Sequence, residues 1–236
     1  MANRNELGQL IGDNLPLGWR SPVVPPRVVL EGKYVRVEPL DPERHASDLF
    51  EANELDSSGE GWTYLAYGPF ESLVEYRSWM ERACMGDDPM FWTYVNVRDN
   101  KAIGLGAFLH INASNATIEV GHLRFSPKLQ RTVLATEAMY LKIKFAFELG
   151  YRRYEWKCDS LNLPSRKAAE RLGFRFEGIF RQATHYRGRN RDTAWFSIID
   201  KEWPALKSTH EAWMDSSNFD SRGIQIRSLS DFRDLS

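Results

Sequence analysis

The stretch LQRTVLATEAMYLKIKFAFELG, residues 129–150, constrains the chain more than any other. Leu134, Ala138, Leu141, Phe145 and Leu149 follow one another at steps of four, three, four and four. That spacing puts them on one side of a helix of 3.6 residues per turn. Gly150 stands where a left-handed residue would end such a helix. Immediately ahead, ATIEVGHLRF (116–125) is rich in β-branched and large apolar residues and reads as a strand. Strand, short loop and helix in that order aim the helix N-terminus at the gap beyond the strand end, with free backbone N–H groups and the positive end of the dipole. Such an end suits an anion, above all a phosphate or pyrophosphate. The plain alternative is a strand–loop–helix unit that binds nothing.

The strand carries a second signal. Ile118 and Val120 share one face, whereas the next large apolar residues, Leu123 and Phe125, fall on the other phase, with Gly121 at the slip. A period of two that slips by one residue is the mark of a β-bulge, which leaves backbone N–H groups unpaired and open to a ligand. A strand that merely changes sheet face near its end would look the same.

Around this unit the remaining elements fall into place. Residues 1–26 hold Gly12, Pro16, Gly18, Pro22, Pro25 and Pro26 and keep no helix or strand period, so they read as an arm or tail. A first strand is expected over 28–40 around a Glu31-Gly32 turn, then a helix capped by Asp41 with Pro42 at its first position and His45, Leu49 and Ala52 inside. An aromatic loop (61–70) follows, then a helix opened by Ser72 and Glu75 as a capping box. A hairpin turning at Asp99-Asn100 leads into the strand at Thr117. Beyond the central helix come a strand over 151–159, a helix over 162–173, and strands over 174–184 and 193–199 around the polar loop HYRGRNRD. A helix opened by Trp203-Pro204, with Leu206, His210 and Trp213 on one face, gives way from Asp215 to a polar tail in which only Ile224 and Ile226 suggest order.

Length and charge exclude several classes. The 236 residues suffice for one sizeable core. A net charge of −1 with interspersed signs provides no field to recruit nucleic acid or a membrane. Cys84 and Cys158 have neither metal-ligand nor disulfide spacing. With no apolar leader and no span-length apolar run, a soluble cytoplasmic protein without metal is expected.

IEVGHLRFSPKLQRTVLATEA, ELGYRRYEWKCDSLNLPSRKAAERLGFRFEGIFR and GRNRDTAWFSIIDKEW, in this order and spacing, resemble the GNAT acyltransferase superfamily, in particular its RimJ/RimL-like branch. The resemblance covers roughly 28–204. It implies an α+β (α/β) fold: a mixed, mostly antiparallel central sheet with a bulged strand and a V-shaped cleft, and helices on both faces. On this basis 1–26 is an arm, 27–206 the acetyltransferase domain, and 207–236 a C-terminal helix and tail. The resemblance further implies that acetyl-CoA binds in the cleft, with its pyrophosphate on the backbone amides of Gln130, Arg131, Thr132, Val133, Leu134, Ala135 and Thr136. One departure stands out. Val133 occupies a position where the family usually has glycine, which would allow close approach of phosphate to backbone.

Direct acetyl transfer to a primary amine needs a base, an oxyanion donor and an acid for the leaving thiolate. The amides around Leu123 and Phe125 suit the oxyanion, and Glu119, just before the slip, is the candidate base acting through water. A surface carboxylate paired with Arg124 or a neighbour is the alternative. Asn162 and Ser165 are expected to meet the pantetheine arm and sulfur, or else to be a helix cap and a first-turn serine. Trp62, Tyr64 and Tyr67 of the aromatic loop, with Phe70, would wall a flat-sided acceptor pocket, or simply pack in the core. His122 is a second candidate base, and Cys158 reads as a core residue. Arg187, Arg189 and Arg191 form a basic turn that could touch the 3′-phosphate or an acidic substrate. The acceptor is a small-molecule or peptide amine, a homodimer is left open, and the alternative of another class is a non-catalytic acyl-CoA sensor.

Overall fold

A computed structural model of the chain describes residues 3–233. The extremities of the expected arm and tail, residues 1–2 and 234–236, lie outside the described residues. In chain order the elements are β1 (Asn3–Arg4), β2 (Leu10–Ile11), β3 (Leu30–Glu31), β4 (Val35–Pro39), α1 (Pro42–Glu54), α2 (Leu73–Ala83), β5 (Met90–Asn96), β6 (Lys101–Asn112), β7 (Thr117–Phe125), α3 (Val133–Glu148), β8 (Arg153–Asp159), α4 (Leu163–Leu172), β9 (Arg175–Tyr186), β10 (Arg189–Ile199), α5 (Trp203–Trp213) and α6 (Leu229–Arg233). The main sheet has eight strands in the order β3-β4-β5-β6-β7-β8-β10-β9. Neighbours in it are antiparallel except β7 and β8, which run parallel across the connection through α3.

Helices cover both faces. Ala46 and Leu49 of α1 and Tyr76 and Met80 of α2 pack with Phe91, Val95, Leu105 and Ala107 on one side. On the other, Ala138, Leu141, Ile143 and Ala146 of α3 meet Trp92, Phe108, Ile118, Val120 and Tyr154. α3 is buried nearly all round, beyond the single apolar side its spacing shows, because even Glu137 and Lys142 lie inside. The Glu137 carboxylate accepts the backbone N–H groups of Lys33, Tyr34 and Val35 at 2.8, 2.7 and 2.8 Å, which fastens the β3–β4 turn to the helix.

The expected helix ends are present. Asp41 accepts from the N–H of Glu43 and Arg44 ahead of Pro42. Ser72 accepts from Glu75 N–H, while the Glu75 carboxylate reaches back to Glu71 N–H rather than to Ser72. Gly150 and Gly173 close α3 and α4 with φ of +94° and +104°, values that cost a side-chain-bearing residue energy.

Three expectations are corrected. The polar stretch 185–192 is no loop: β9 and β10 run on as a hairpin to a tight turn at Arg187-Gly188, with φ of +48° and +69°. Alternation of polar and apolar residues could not reveal it, because most of this projecting ribbon is covered on neither face. The N-terminal arm contains the short β1–β2 ribbon. In the tail, Ile224 and Ile226 are exposed, and the buried anchors are Asn218 and Leu229.

Candidate active site

The parallel β7–β8 ladder runs from Thr117↔Arg153 to Val120↔Trp156 and stops. Beyond that rung β8 stays with β10 as far as Thr193↔Asp159, while β7 follows β6. The two strands therefore part into a V. The bulge falls just past the rung: Ala107 pairs with Gly121 but Leu105 with Arg124, so β7 spends three steps where β6 spends two. His122 takes the kink with φ of +52°. Gly106 faces the bulge, and a Cβ there would collide with Tyr94 Oη and come within 2.8 Å of Leu123 Cδ2. The slip that the sequence marks at Gly121 is thus realised at His122 and Leu123.

Ser126 N–H donates to Ile103 O on β6. Because alternate residues of a strand point their N–H groups to opposite edges, Phe125 N–H is turned to the cleft edge. The Phe125 carbonyl is occupied by Gln130 Nε2 (2.7 Å) and Arg124 Nη1 (3.0 Å). Arg124 itself is buried, pairs with Asp56 at 3.0 Å and lies 4.4 Å over the Trp62 ring, so it is not a partner of Glu119.

Across the V stands the first turn of α3. Thr132 is its N-cap: its Oγ1 donates to Leu129 O (2.6 Å) and accepts from Ala135 N–H (3.3 Å). Gln130 N–H is also committed, to Ser126 O. Val133 and Leu134 are the first helical residues, and their N–H groups precede any intrahelical acceptor. Arg131 has φ of +59°. Arg171 brings a guanidinium to the same turn, donating to Thr136 Oγ1 at 3.0 Å; nothing in the sequence pattern singled it out.

Asn162 caps α4 by accepting Ser165 N–H at 3.1 Å. Ser165 Oγ accepts from Trp156 Nε1 at 3.0 Å. Since Trp156 is the last rung of the parallel ladder, Ser165 lies at the apex of the V. It also hydrogen-bonds Cys158, whose thiol burial pushes up in pKa and so keeps protonated near neutrality.

Glu119 is 4% exposed. One oxygen, Oε2, accepts from His110 Nδ1 and from Lys157 Nζ, both at 2.7 Å. The other, Oε1, faces Gly121, 3.6 Å from where a Cβ would sit there. Glu155 stands directly across the ladder from Glu119; Lys157, 2.8 Å from Glu155, bridges the two carboxylates, and Arg153 pairs with Glu155 at 2.6 Å. His110, with a side chain 67% exposed, connects this buried group to solvent. The hydrogen bond to Glu119 raises its pKa above the ordinary histidine value. His110 gave no sequence signal, being a lone histidine at a strand end.

Over the bulge lies the aromatic loop. His122 stacks on Tyr67, with centroids 5.7 Å apart, and its Nδ1 is 3.3 Å from Tyr67 Oη. Burial lowers the pKa of His122 and favours the neutral ring. Tyr64 Oη donates to Leu161 O at 3.1 Å, which ties the loop to the approach of α4. Trp62 departs from its expected place as a pocket wall. It is 4% exposed and packed between Arg124 and Phe70, because a flat ring offered to a buried guanidinium belongs to the core. Phe70 likewise packs on Tyr76 and Trp79.

Among the described residues no cluster of His, Cys, Asp and Glu is placed to hold a metal ion, and no helix is long and apolar enough to cross a membrane. The family model for an acetyltransferase (GNAT) domain matches residues 35–175. A GCN5-related N-acetyltransferase from Brucella melitensis is 44% identical in sequence, with a TM-score of 0.90 over 93% of this chain and 100% of that one. The uncharacterized N-acetyltransferase p20 of Bacillus licheniformis is 26% identical over 71% of this chain and 99% of its own length. YnaD of Bacillus subtilis, also an uncharacterized N-acetyltransferase, is 28% identical over 37% of this chain, a match that spans 51% of that protein.

Proposed function

Since the chain belongs to the GNAT acetyltransferase family, we propose that it transfers the acetyl group of acetyl-CoA directly to a primary amine. The observation that carries this reading is the coincidence of two features. The β7–β8 ladder opens at Val120↔Trp156, and the first turn of α3, with the N–H groups of Val133 and Leu134 ahead of any helical acceptor, closes the same V. The donor's pyrophosphate fits that turn, where backbone N–H groups and the helix dipole act together. Its pantetheine fits the gap between the strands, ending beside Ser165.

In this reading the cleft-side N–H groups at Leu123 and Phe125 hold the oxyanion as the amine adds to the thioester carbonyl. The amine arrives from the side of Tyr64 and Tyr67. Glu119 Oε1 receives its proton through a water, and His110 returns that proton to solvent. The Ser165 hydroxyl, already an acceptor from Trp156, serves the departing thiolate. The acceptor is a protein N-terminus or a small-molecule amine, as in the RimJ/RimL-like branch that the motifs resemble. Residues 27–206 carry the activity in the cytoplasm, without metal or nucleic acid.

One observation favours a second reading. The carboxylate of Glu119 is held by two cationic partners, as a structural ion pair would be, and a protein that binds acyl-CoA as a sensor needs no base. Release of free thiol from acetyl-CoA across a panel of primary amines separates the two. Transfer requires thiol release that depends on the amine and is matched by acetylated product. Acetyl-CoA binding with no release on any amine would leave the sensor.

A further inference from the structure

The arginines at the tip of the β9–β10 hairpin divide by what they touch. Arg187 Nη2 donates to Tyr67 O at 2.8 Å and to Gly68 O. Arg189 Nη2 donates to Thr63 O at 2.9 Å. Those bonds seat the hairpin on the aromatic loop and commit the Nη2 of each guanidinium to it as a clamp. Arg191 is different. It precedes by two positions Thr193, which pairs with Asp159 at the end of β8. Against β9 the register shifts here, but it is β9 that spends four steps, Thr184 to Phe180, where β10 spends two, and Ser160 N–H donating to Asp192 O keeps β10 in step with β8. Residues two apart on such a strand share a face, so Arg191 lies on the face of Thr193 and Trp195, where Lys157 Nζ sits 3.9 Å over the Trp195 ring. This is the face of Glu119 and Glu155, which Lys157 bridges.

Arg191 is half-buried, and its Nε is buried without an acceptor. Among the described residues no carboxylate lies within salt-bridge distance of it; Asp159 is taken by Tyr186 Oη at 2.9 Å and by Leu161 N–H. Its charge is felt both by His122 on the bulge and by Cys158 on β8. Arg191 therefore stands beyond the last β7–β8 rung, next to the hairpin tip that Arg187 and Arg189 seat on the aromatic loop. A partly desolvated cation with no anion is costly, and the fork geometry of arginine suits a carboxylate or phosphate that would relieve that cost.

We infer that Arg191 binds an oxyanion carried by the acceptor, so that the preferred substrate is a primary amine bearing a carboxylate or phosphate a few bonds from its nitrogen. This rests on the transferase reading of the same cleft. Arg187 and Arg189, bound to loop carbonyls, hold the pocket's cover in place and do not share the task.

Thiol release is measured with matched acceptors: free α-amino acids against their carboxamides, and phosphoethanolamine against ethanolamine. The anionic member of at least one pair should be used with kcat/KM about tenfold or more above its neutral partner. Arg191→Gln should erase that preference through KM for the anionic acceptor, leaving KM for acetyl-CoA and turnover of neutral amines unchanged, and Arg191→Lys should restore part of it. The two pairs distinguish a carboxylate from a phosphate. Equal use of both members by the wild type, or an effect of Arg191→Gln on acetyl-CoA instead, overturns the assignment. If no amine supports release, the transferase reading falls, and thermal shift with the same compounds still decides. Stabilisation of the wild type but not of Arg191→Gln by an anionic member upholds the assignment, and the lack of any difference overturns it.

Discussion

At Glu119 the two carboxylate oxygens have separate tasks, and that asymmetry governs what a substitution does. Oε2 is held by His110 and Lys157, while Oε1 faces the bulge. Glu119→Gln keeps the shape and removes the capacity to take a proton. The expected result is kcat/KM lower by about a hundredfold near pH 7, with acetyl-CoA affinity within a factor of about three. The defect should shrink at high pH, where the amine arrives already deprotonated. The same change replaces the carboxylate whose charge-assisted hydrogen bond raises the His110 pKa by a neutral amide, so the His110 titration, followed by NMR, should move down. Full activity of the variant at pH 7 would take Glu119 out of the mechanism and move the base to His122. The place of Glu119 next to the bulge was legible in the sequence because it precedes a phase slip. His110 was not, because its role depends on a cross-strand neighbour in β7 that no local pattern names. Between the two readings left open for Trp62 the sequence could not choose for a related reason: a loop has no period to say which aromatic side chains turn inward.

Among the elements, α3 was legible over most of its length, since an apolar spacing and a closing glycine act locally. Its burial on every side was not, because that depends on β3, β4 and α5 folding around it. Lys142 records that enclosure: its Nζ is fully buried without a hydrogen-bond partner, 4.1 Å over the Phe108 ring, and desolvation drives its pKa far below the ordinary lysine value. The tip of the β9–β10 hairpin, residues 185–192, lay hidden for the opposite reason, being mostly polar and held by its clamps to the loop. Val133 tests how α3 presents its first turn. As the first helical residue, half-buried behind an extended Thr132, it supplies its N–H whatever its side chain. Val133→Gly is therefore expected to lower stability by about 1 kcal/mol in a denaturant titration, through helix propensity and lost packing. Acetyl-CoA affinity should change little. Tighter binding with an unchanged melting point would mean that the valine methyl groups crowd the phosphate instead.

Over the whole molecule, the cleft follows from topology. One parallel pair stands in an otherwise antiparallel sheet, its crossover helix packs on one face, and β6 and β10 draw the two strands apart once the ladder ends. The order of strands and helices could be read from the sequence together with the family likeness, whereas the sheet order, which places β10 inside β9, could not. The ends of the chain brace the same framework. Tyr151 Oη donates to Val23 O in the N-terminal arm, and Arg233 donates to the Arg171 carbonyl in α4. All of this gains its functional meaning from a donor seated in the V, so the decisive measurement is thermal unfolding of the intact chain with and without acetyl-CoA. A ligand bound only by the native state at a hundred times its Kd adds about 2.7 kcal/mol. In a protein of this size that raises Tm by roughly 5–10 °C. Acetyl-CoA should give a shift of that order, and desulfo-CoA, which keeps the pyrophosphate and pantetheine, nearly as much. An unchanged Tm at millimolar acetyl-CoA would mean that the cleft between β7 and β8 is not a donor site.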